Sequence, residues 1–212
     1  MARSVELEPA PRRRRRRQDS EQEILEAAER LLRERPFRDL TVDDLMGATT
    51  QSRTAFYRHF TGRQDLLIRL LSDLNQELWA VSQGWFQGDG DDPLGEAREA
   101  LEKLAGFYQA HGPVLLAMAE AAHHDDEVER VYNALVQGFA DGVVARLERD
   151  AAAGRASVPN PAEVACALVW MTERQLAVTF GRRETTAAER KATVEALYTI
   201  WTRTLYGADP EA

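Results

Sequence analysis

Apolar residues along this chain recur three and four positions apart, the period of an α-helix with one buried face. Ile24, Ala27, Ala28, Leu31 and Leu32 share such a face, then Val42 with Leu45, then Phe56 with Phe60. Leu66, Leu67, Leu70, Leu71, Leu74 and Leu78 extend the pattern over a long segment. Further on, Leu101, Leu104 and Tyr108 fall on one face, as do Tyr132, Val136, Phe139 and Val143, and Val169, Thr172 and Leu176; Trp201 projects from the last segment. No stretch alternates apolar and polar residues as a half-buried strand does. The expected fold class is all-α, about nine helices, with a small three-helix head before a larger helical body.

Capping residues set the expected boundaries. Ser20-Glu-Gln-Glu23 reads as a capping box opening a first helix that ends near Pro36. Thr41 caps a second, with Asp43 and Asp44 in its first turn, where the dipole favours acids. Thr61-Gly62 breaks the chain before Arg63 starts a long helix, and the glycine-bearing stretch 83–91 reads as a loop. Asp92-Pro93 opens the next helix. His111-Gly112-Pro113 should break it and open a short apolar helix to Ala122. A long helix follows from about Glu127 to Ala152. Asn160 should cap a helix from Pro161 to Phe180, and Thr186-Ala-Ala-Glu189 is a capping box for the last, to about Tyr206.

The segment from Thr41 to Leu67 carries the chemistry. A short helix, a tight connection and a second short helix followed by a basic residue form the layout of a helix-turn-helix, whose second helix enters the DNA major groove. With Phe56 and Phe60 turned inward, Arg53, Thr54, Tyr57 and Arg58 point largely away from the small core. Arginine there offers bidentate contacts to guanine, and the others reach base edges and phosphates. Gln51 or Ser52 sits at the cap, where unpaired backbone N–H groups also suit a phosphate.

Charge changes the picture once it is divided. The whole chain is acidic, at −8. Residues 1–70, however, carry 15 basic against 12 acidic residues, and residues 71–212 carry 12 against 23. A basic head on an acidic body suits DNA binding at one end and a different role at the other. Arg12 to Arg17 supply much of the positive charge, and residues 1–19 are expected to form a disordered basic arm along phosphates or a minor groove. The head then spans 20–66 and the body 67–212.

These residues resemble the TetR family of bacterial transcription regulators. The likeness lies in Ile24-Leu25 to Leu32, Phe37 to Leu45, Ser52-Arg53, the run Phe56-Tyr57-Arg58-His59-Phe60, and Arg63 to Leu67. It implies that Thr41, Tyr57, His59 and Arg63 contact phosphates, while Gln51, Ser52, Arg53, Thr54 and Arg58 read base edges. The turn departs from the family's usual Ala-Gly-Val: Thr49-Thr50-Gln51 must avoid a positive φ or bear strain.

In the body the chain is similar to the EthR-type branch. The matching stretches are Glu148-Arg149-Asp150, Ala167-Leu168 through Met171 and Glu173-Arg174 to Leu176, and Ile200-Trp201 through Leu205-Tyr206-Gly207. That likeness implies an apolar, aromatic-lined pocket for a hydrophobic small-molecule effector. The faces that would line it carry Leu101, Leu104, Tyr108, Tyr132, Val136, Phe139, Val143, Val169, Thr172, Leu176 and Trp201. Thr172, with Glu173 or Gln175 nearby, is the candidate polar anchor. The resembled members have amide side chains where this chain has Val169 and Thr172, so their ligand chemistry does not carry over.

Other chemistries find little support. His123 to Glu127 holds metal-ligand residue types, but neighbours in sequence splay around a helix, and a capping turn suits them better. No phosphate loop, zinc spacing or nucleophile motif is present, so neither enzyme activity, cofactor nor metal is expected. The single Cys166 fits a reducing compartment and reads as a buried core thiol. With no signal peptide or spanning stretch visible, the expected location is the cytoplasm. The expected protein is a homodimer paired through its last two helices, holding a pseudo-palindromic double-stranded DNA operator and releasing it when effector binds. The alternatives are a ligand-independent regulator with a solid body, or a helical lipid carrier or enzyme.

Overall fold

The computed structural model describes residues 11–207, and every element among them is helical. Eight α-helices follow in order: α1 (Pro11–Glu34), α2 (Val42–Gly47), α3 (Arg53–His59), α4 (Arg63–Gln87), α5 (Pro93–Ala121), α6 (Asp126–Ala152), α7 (Pro161–Phe180) and α8 (Ala187–Tyr206), with a 3-10 turn at Phe37–Asp39. The chain divides into two compact units, one ending at Leu66 and the other beginning at Leu67.

In the first unit, α1, α2 and α3 pack on one another around Ile24, Ala27, Leu45, Phe56 and Phe60, all buried. The Phe56 and Phe60 rings lie 5.4 Å apart, as a four-residue spacing on one helix face dictates. Thr41 and Asp44 form a capping box on α2, and Ser52 caps α3 by accepting from the Ala55 N–H. At its start α1 departs from expectation. It runs from Pro11, so residues 11–19 of the expected disordered arm are helical and Ser20 lies inside the helix rather than capping it. Proline suits a first helical position and arginine is among the better helix formers, which favours continuation although six arginines repel one another and sit at the positive end of the helix dipole. The rest of that arm, residues 1–10, lies outside the described residues.

In the second unit, α5 packs against α6, α7 and α8, and α6 against α7. Here too, three expected boundaries fall differently. Pro113 does not break the chain; α5 continues through it to Ala121, which makes eight helices among the described residues rather than nine. The buried run Val114 to Ala119 keeps the helix packed past the missing N–H. Gly112 serves packing in another way. A Cβ there would stand 2.6 Å from the Phe180 carbonyl oxygen, so only glycine lets the end of α7 come this close. At the second boundary, α4 runs to Gln87 and absorbs most of the expected loop, because Trp85 is buried there. At the third, Asn160 precedes α7 without capping it, in the left-handed region at φ 49°. Thr186 and Glu189 form the expected box on α8, whose Arg183-paired Glu189 carboxyl is held down to about 2. Cys166 is only half-buried rather than a core thiol.

A buried ionic cluster joins four helices of this unit. The Arg146 side chain is fully buried; its Nε donates to Asp150 Oδ2 at 2.7 Å, and its Nη1 donates to Glu96 Oε2 at 2.7 Å and to the Trp85 carbonyl. Asp150 also accepts from Arg155 at 2.9 Å and from the Tyr206 hydroxyl at 3.0 Å. Burial works against ionising Asp150, but Arg146, Arg155 and Tyr206 together hold its carboxyl below the usual range.

Candidate functional site

The connection before α3 decides where that helix aims, and Glu23 on α1 holds it. The Glu23 carboxylate accepts from the Thr50 N–H at 2.6 Å, the Thr50 hydroxyl at 3.0 Å and Gln51 Nε2 at 2.6 Å. These bonds, the Thr50 N–H foremost, hold its carboxyl below the ordinary value. Ser20 donates to Gln51 Oε1 at 2.9 Å, and Arg30 donates to the Ala48 carbonyl at 3.1 Å. None of Thr49, Thr50 and Gln51 has a positive φ. Threonine therefore replaces the family's turn glycine without left-handed strain, because side-chain bonds to α1 hold a turn that needs no glycine.

This geometry sorts the nine residues expected to meet DNA. Ser52, Arg53, Thr54, Tyr57 and Arg58 are exposed along α3, with Tyr57 at 52%. Arg53 is held in place by Asp43 at 2.7 Å and lies 5.9 Å from the Tyr57 ring centre. The other four face differently. Gln51 spends its amide on Glu23 and Ser20. Thr41, although exposed, donates its hydroxyl to Asp44 at 2.6 Å; this pairing holds the Asp44 carboxyl down to about 2. Burial pushes the His59 imidazole down, with Glu21 3.9 Å away, which favours the neutral ring over a cation for phosphate. Arg63 turns inward: Nη1 donates to the Phe37 carbonyl at 3.2 Å and to the Leu40 carbonyl, with its guanidinium over the Phe37 ring. Arg63 ties the α1–α2 connection to the start of α4. Residue type alone does not reveal such inward turns.

The second unit holds a partly open cavity of about 100 Å³. Of the residues expected to line it, Leu101, Leu104 and Tyr108 do so from α5, Tyr132, Val136 and Phe139 from α6, Val169 and Thr172 from α7, and Trp201 from α8. Val143 and Leu176 do not; both are buried in the core instead. Each sits at the far end of its apolar face, where helical spacing cannot separate wall from core. Sequence reasoning missed the wall contributed by α4, namely Leu78, Ser82, Trp85 and Phe86, because the aromatic pair lies in a stretch that reads as a loop. Two aromatics so close together among glycines were the available signal. The Trp85 and Trp201 rings meet edge to face at 5.7 Å.

Two polar side chains of α7 enter this apolar wall. The Thr172 hydroxyl accepts from the Trp201 indole N–H at 2.8 Å, so it is already satisfied. Glu173, 9% exposed, has no hydrogen bond on either carboxylate oxygen. The Tyr132 hydroxyl interacts with it without the geometry of a full hydrogen bond. Burial raises the Glu173 carboxyl above its ordinary range, against the smaller opposing pull of Tyr132 and Arg174. At the expected metal-like run, Asp125 caps α6 by accepting from the Glu127 and Val128 N–H groups, and His123 Nδ1 bonds the Ala119 carbonyl. No helix among the described residues is long and apolar enough to cross a membrane.

Comparison with known proteins bears on both units. The family model for bacterial regulatory proteins of the tetR family matches residues 24–70, and that for the C-terminal domain of the transcriptional regulator EthR matches residues 97–207. The HTH-type transcriptional regulator EthR of Mycobacterium tuberculosis is 29% identical over 191 residues, covering 89% of this chain and 88% of that one. Its counterpart in Mycolicibacterium smegmatis is 27% identical over 193 residues, covering 91% and 88%. In fold, the chain resembles Salmonella enterica GusR with a TM-score of 0.71 at 16% identity, over 88% of this chain and 95% of that one.

Proposed function

Because the chain belongs to the TetR family of DNA-binding transcription regulators and carries the C-terminal domain of its EthR-type members, we propose that it is a repressor released from its operator by a small apolar effector. The observation that carries this reading is the cavity in the second unit, walled by α4 to α8 and almost wholly apolar. Its volume falls short of the roughly 300–1,000 Å³ typical of drug-sized ligand sites, so the effector is small or the walls part to admit it.

The operator contacts come from the exposed row on α3, with Tyr57 and Arg58 foremost. The chain pairs with a second copy through α7 and α8, where Val178 and Ile200 remain 52% and 42% exposed. Two-fold pairing would set two recognition helices about 34–36 Å apart, one DNA turn, on a pseudo-palindrome. Effector shifts DNA affinity only by the difference in its affinity for the two conformations. The continuous helix α4, which starts at Arg63 and contributes Leu78 to Phe86 to the cavity wall, is the transmitting element.

The test is binding of the purified chain to the DNA upstream of its own gene, followed by fluorescence anisotropy. Tyr57→Ala and Arg58→Ala should lose the preference for that DNA over random sequence while keeping weak, salt-sensitive binding. Unchanged preference in both variants overturns the assignment. A small molecule that raises the melting temperature and releases the DNA separates the switch from a solid body.

A further inference from the structure

Glu173 sets a ligand problem that the apolar wall alone does not solve. Among the residues lining the cavity it is the only acid, and no lysine, arginine or histidine joins it. Its two carboxylate oxygens are buried without a hydrogen bond, although unpaired buried polar groups are rare and costly. The threonine beside it is satisfied by Trp201; of the lining groups only the Trp85 indole N–H is likewise without a hydrogen bond, and it is a neutral donor, so Glu173 is the one acceptor left open. The same cavity is lined by the rings of Trp85, Phe86, Tyr108, Tyr132 and Trp201, and aromatic faces attract cations. An apolar ligand would fill the space and leave the carboxyl as it is. A ligand anion would be repelled.

We propose that the effector is an amine, a small apolar molecule with one protonated nitrogen whose N–H groups donate to the Glu173 carboxylate while the aromatic rings enclose its body. This deepens the reading of the cavity as the effector site and rests on it. Tyr108 on α5, Tyr132 on α6 and Arg174 on α7 are the titratable or charged groups that act on Glu173; α4 and α8 bring Ser82, aromatic rings and apolar side chains. Both tyrosines are raised by burial and stay neutral, and burial raises the Glu173 carboxyl above its ordinary range, so Glu173 is the cavity group whose charge an incoming cation can change. Amine binding draws the carboxyl into its ionised form, and a neutral ligand does not.

Calorimetric titration of the full chain with matched probes tests this: 2-phenylethylamine against 2-phenylethanol, and n-hexylamine against n-hexanol. Each amine should bind about tenfold tighter than its alcohol, the scale of one charged hydrogen bond. Glu173→Gln should abolish that preference while alcohol binding persists. In the native chain, where no substitution disturbs folding, amine affinity should rise with pH as the carboxyl ionises above its ordinary range, and alcohol affinity should stay flat. Alcohols binding as well as amines, or a preference that survives Glu173→Gln, overturns the amine and leaves the effector cavity standing. If neither class binds, both the amine and the reading of the cavity as an effector site fall.

Discussion

Two carboxylates buried in the same helical unit differ most in what surrounds them. Asp150 accepts from Arg146, Arg155 and Tyr206 and is held below its ordinary range. Glu173 accepts no full hydrogen bond and is pushed above it. Desolvation opposes the charge at both places, and only the first has partners enough to reverse it. Burying an acid can thus serve two ends. Around Asp150 it joins four helices into one frame; beside the cavity it leaves a polar group open to an incoming molecule. A designer seeking stability alone would keep the first and replace the second.

Cutting the satisfied site should have the largest effect. Arg146→Ala removes the buried cation shared by Asp150 and Glu96, leaving Asp150 only Arg155 and Tyr206, and should cost about 3–5 kcal/mol in urea unfolding. A loss below about 1 kcal/mol would show that the cluster does not hold the frame. Next, Thr172→Val, nearly isosteric, takes the acceptor from the Trp201 indole in the cavity wall. It should cost about 1–2 kcal/mol, seen as a lower melting temperature, while any gain would mean that the indole is satisfied elsewhere.

Glu173→Gln gives a smaller change whose sign is the readout. A carboxyl raised in the folded state contributes its stability below the unfolded value, and that contribution is lost as pH rises toward the raised folded value. The glutamine variant should therefore gain on the native chain as pH rises from the ordinary glutamate value toward the raised one. Asp150, lowered, runs the other way: its stabilisation is present above the unfolded value and is lost as pH falls through the folded one. Parallel slopes for native chain and variant would dissolve the contrast. Smallest of all should be Tyr132→Phe, which stays within about 0.5 kcal/mol if Glu173 lacks a true partner. A loss above about 1 kcal/mol would make the tyrosine that partner.

Much of this architecture is legible in residue order. Thr41, Asp92 and Thr186 cap the helices expected of them, because a cap is a local bond between residues three apart. Phe56 and Phe60 turn inward as their spacing requires. Elements decided by distant contacts are harder to read. Pro113 reads as a break until the buried run after it is seen packing on neighbouring helices, and Trp85 reads as loop until its carbonyl is seen bonded to Arg146. In the head, the exposed row from Ser52 to Arg58 follows from which side the phenylalanines take. The inward turns of Gln51, His59 and Arg63 do not, since each depends on groups at least 23 residues away or on burial. Most of the cavity wall lies on faces legible as helical stripes, yet a stripe does not state whether it meets another side chain or a space. That is why Val143 and Leu176 pass for wall in the sequence, and why the unpaired state of Glu173 becomes visible only in three dimensions.

Gly112 has a mechanical consequence. At that level α5 meets the end of α7 backbone to backbone, with no side chain between them whose rotation could yield. The crossing acts as a pin. If the cavity widens to admit an effector, these two helices can swing about that point far more easily than they can separate there, and a small motion beside the ligand becomes a larger one at the opposite ends of the same levers. Gly112→Ala would replace the pin with a wedge, and the unit would begin already pried apart.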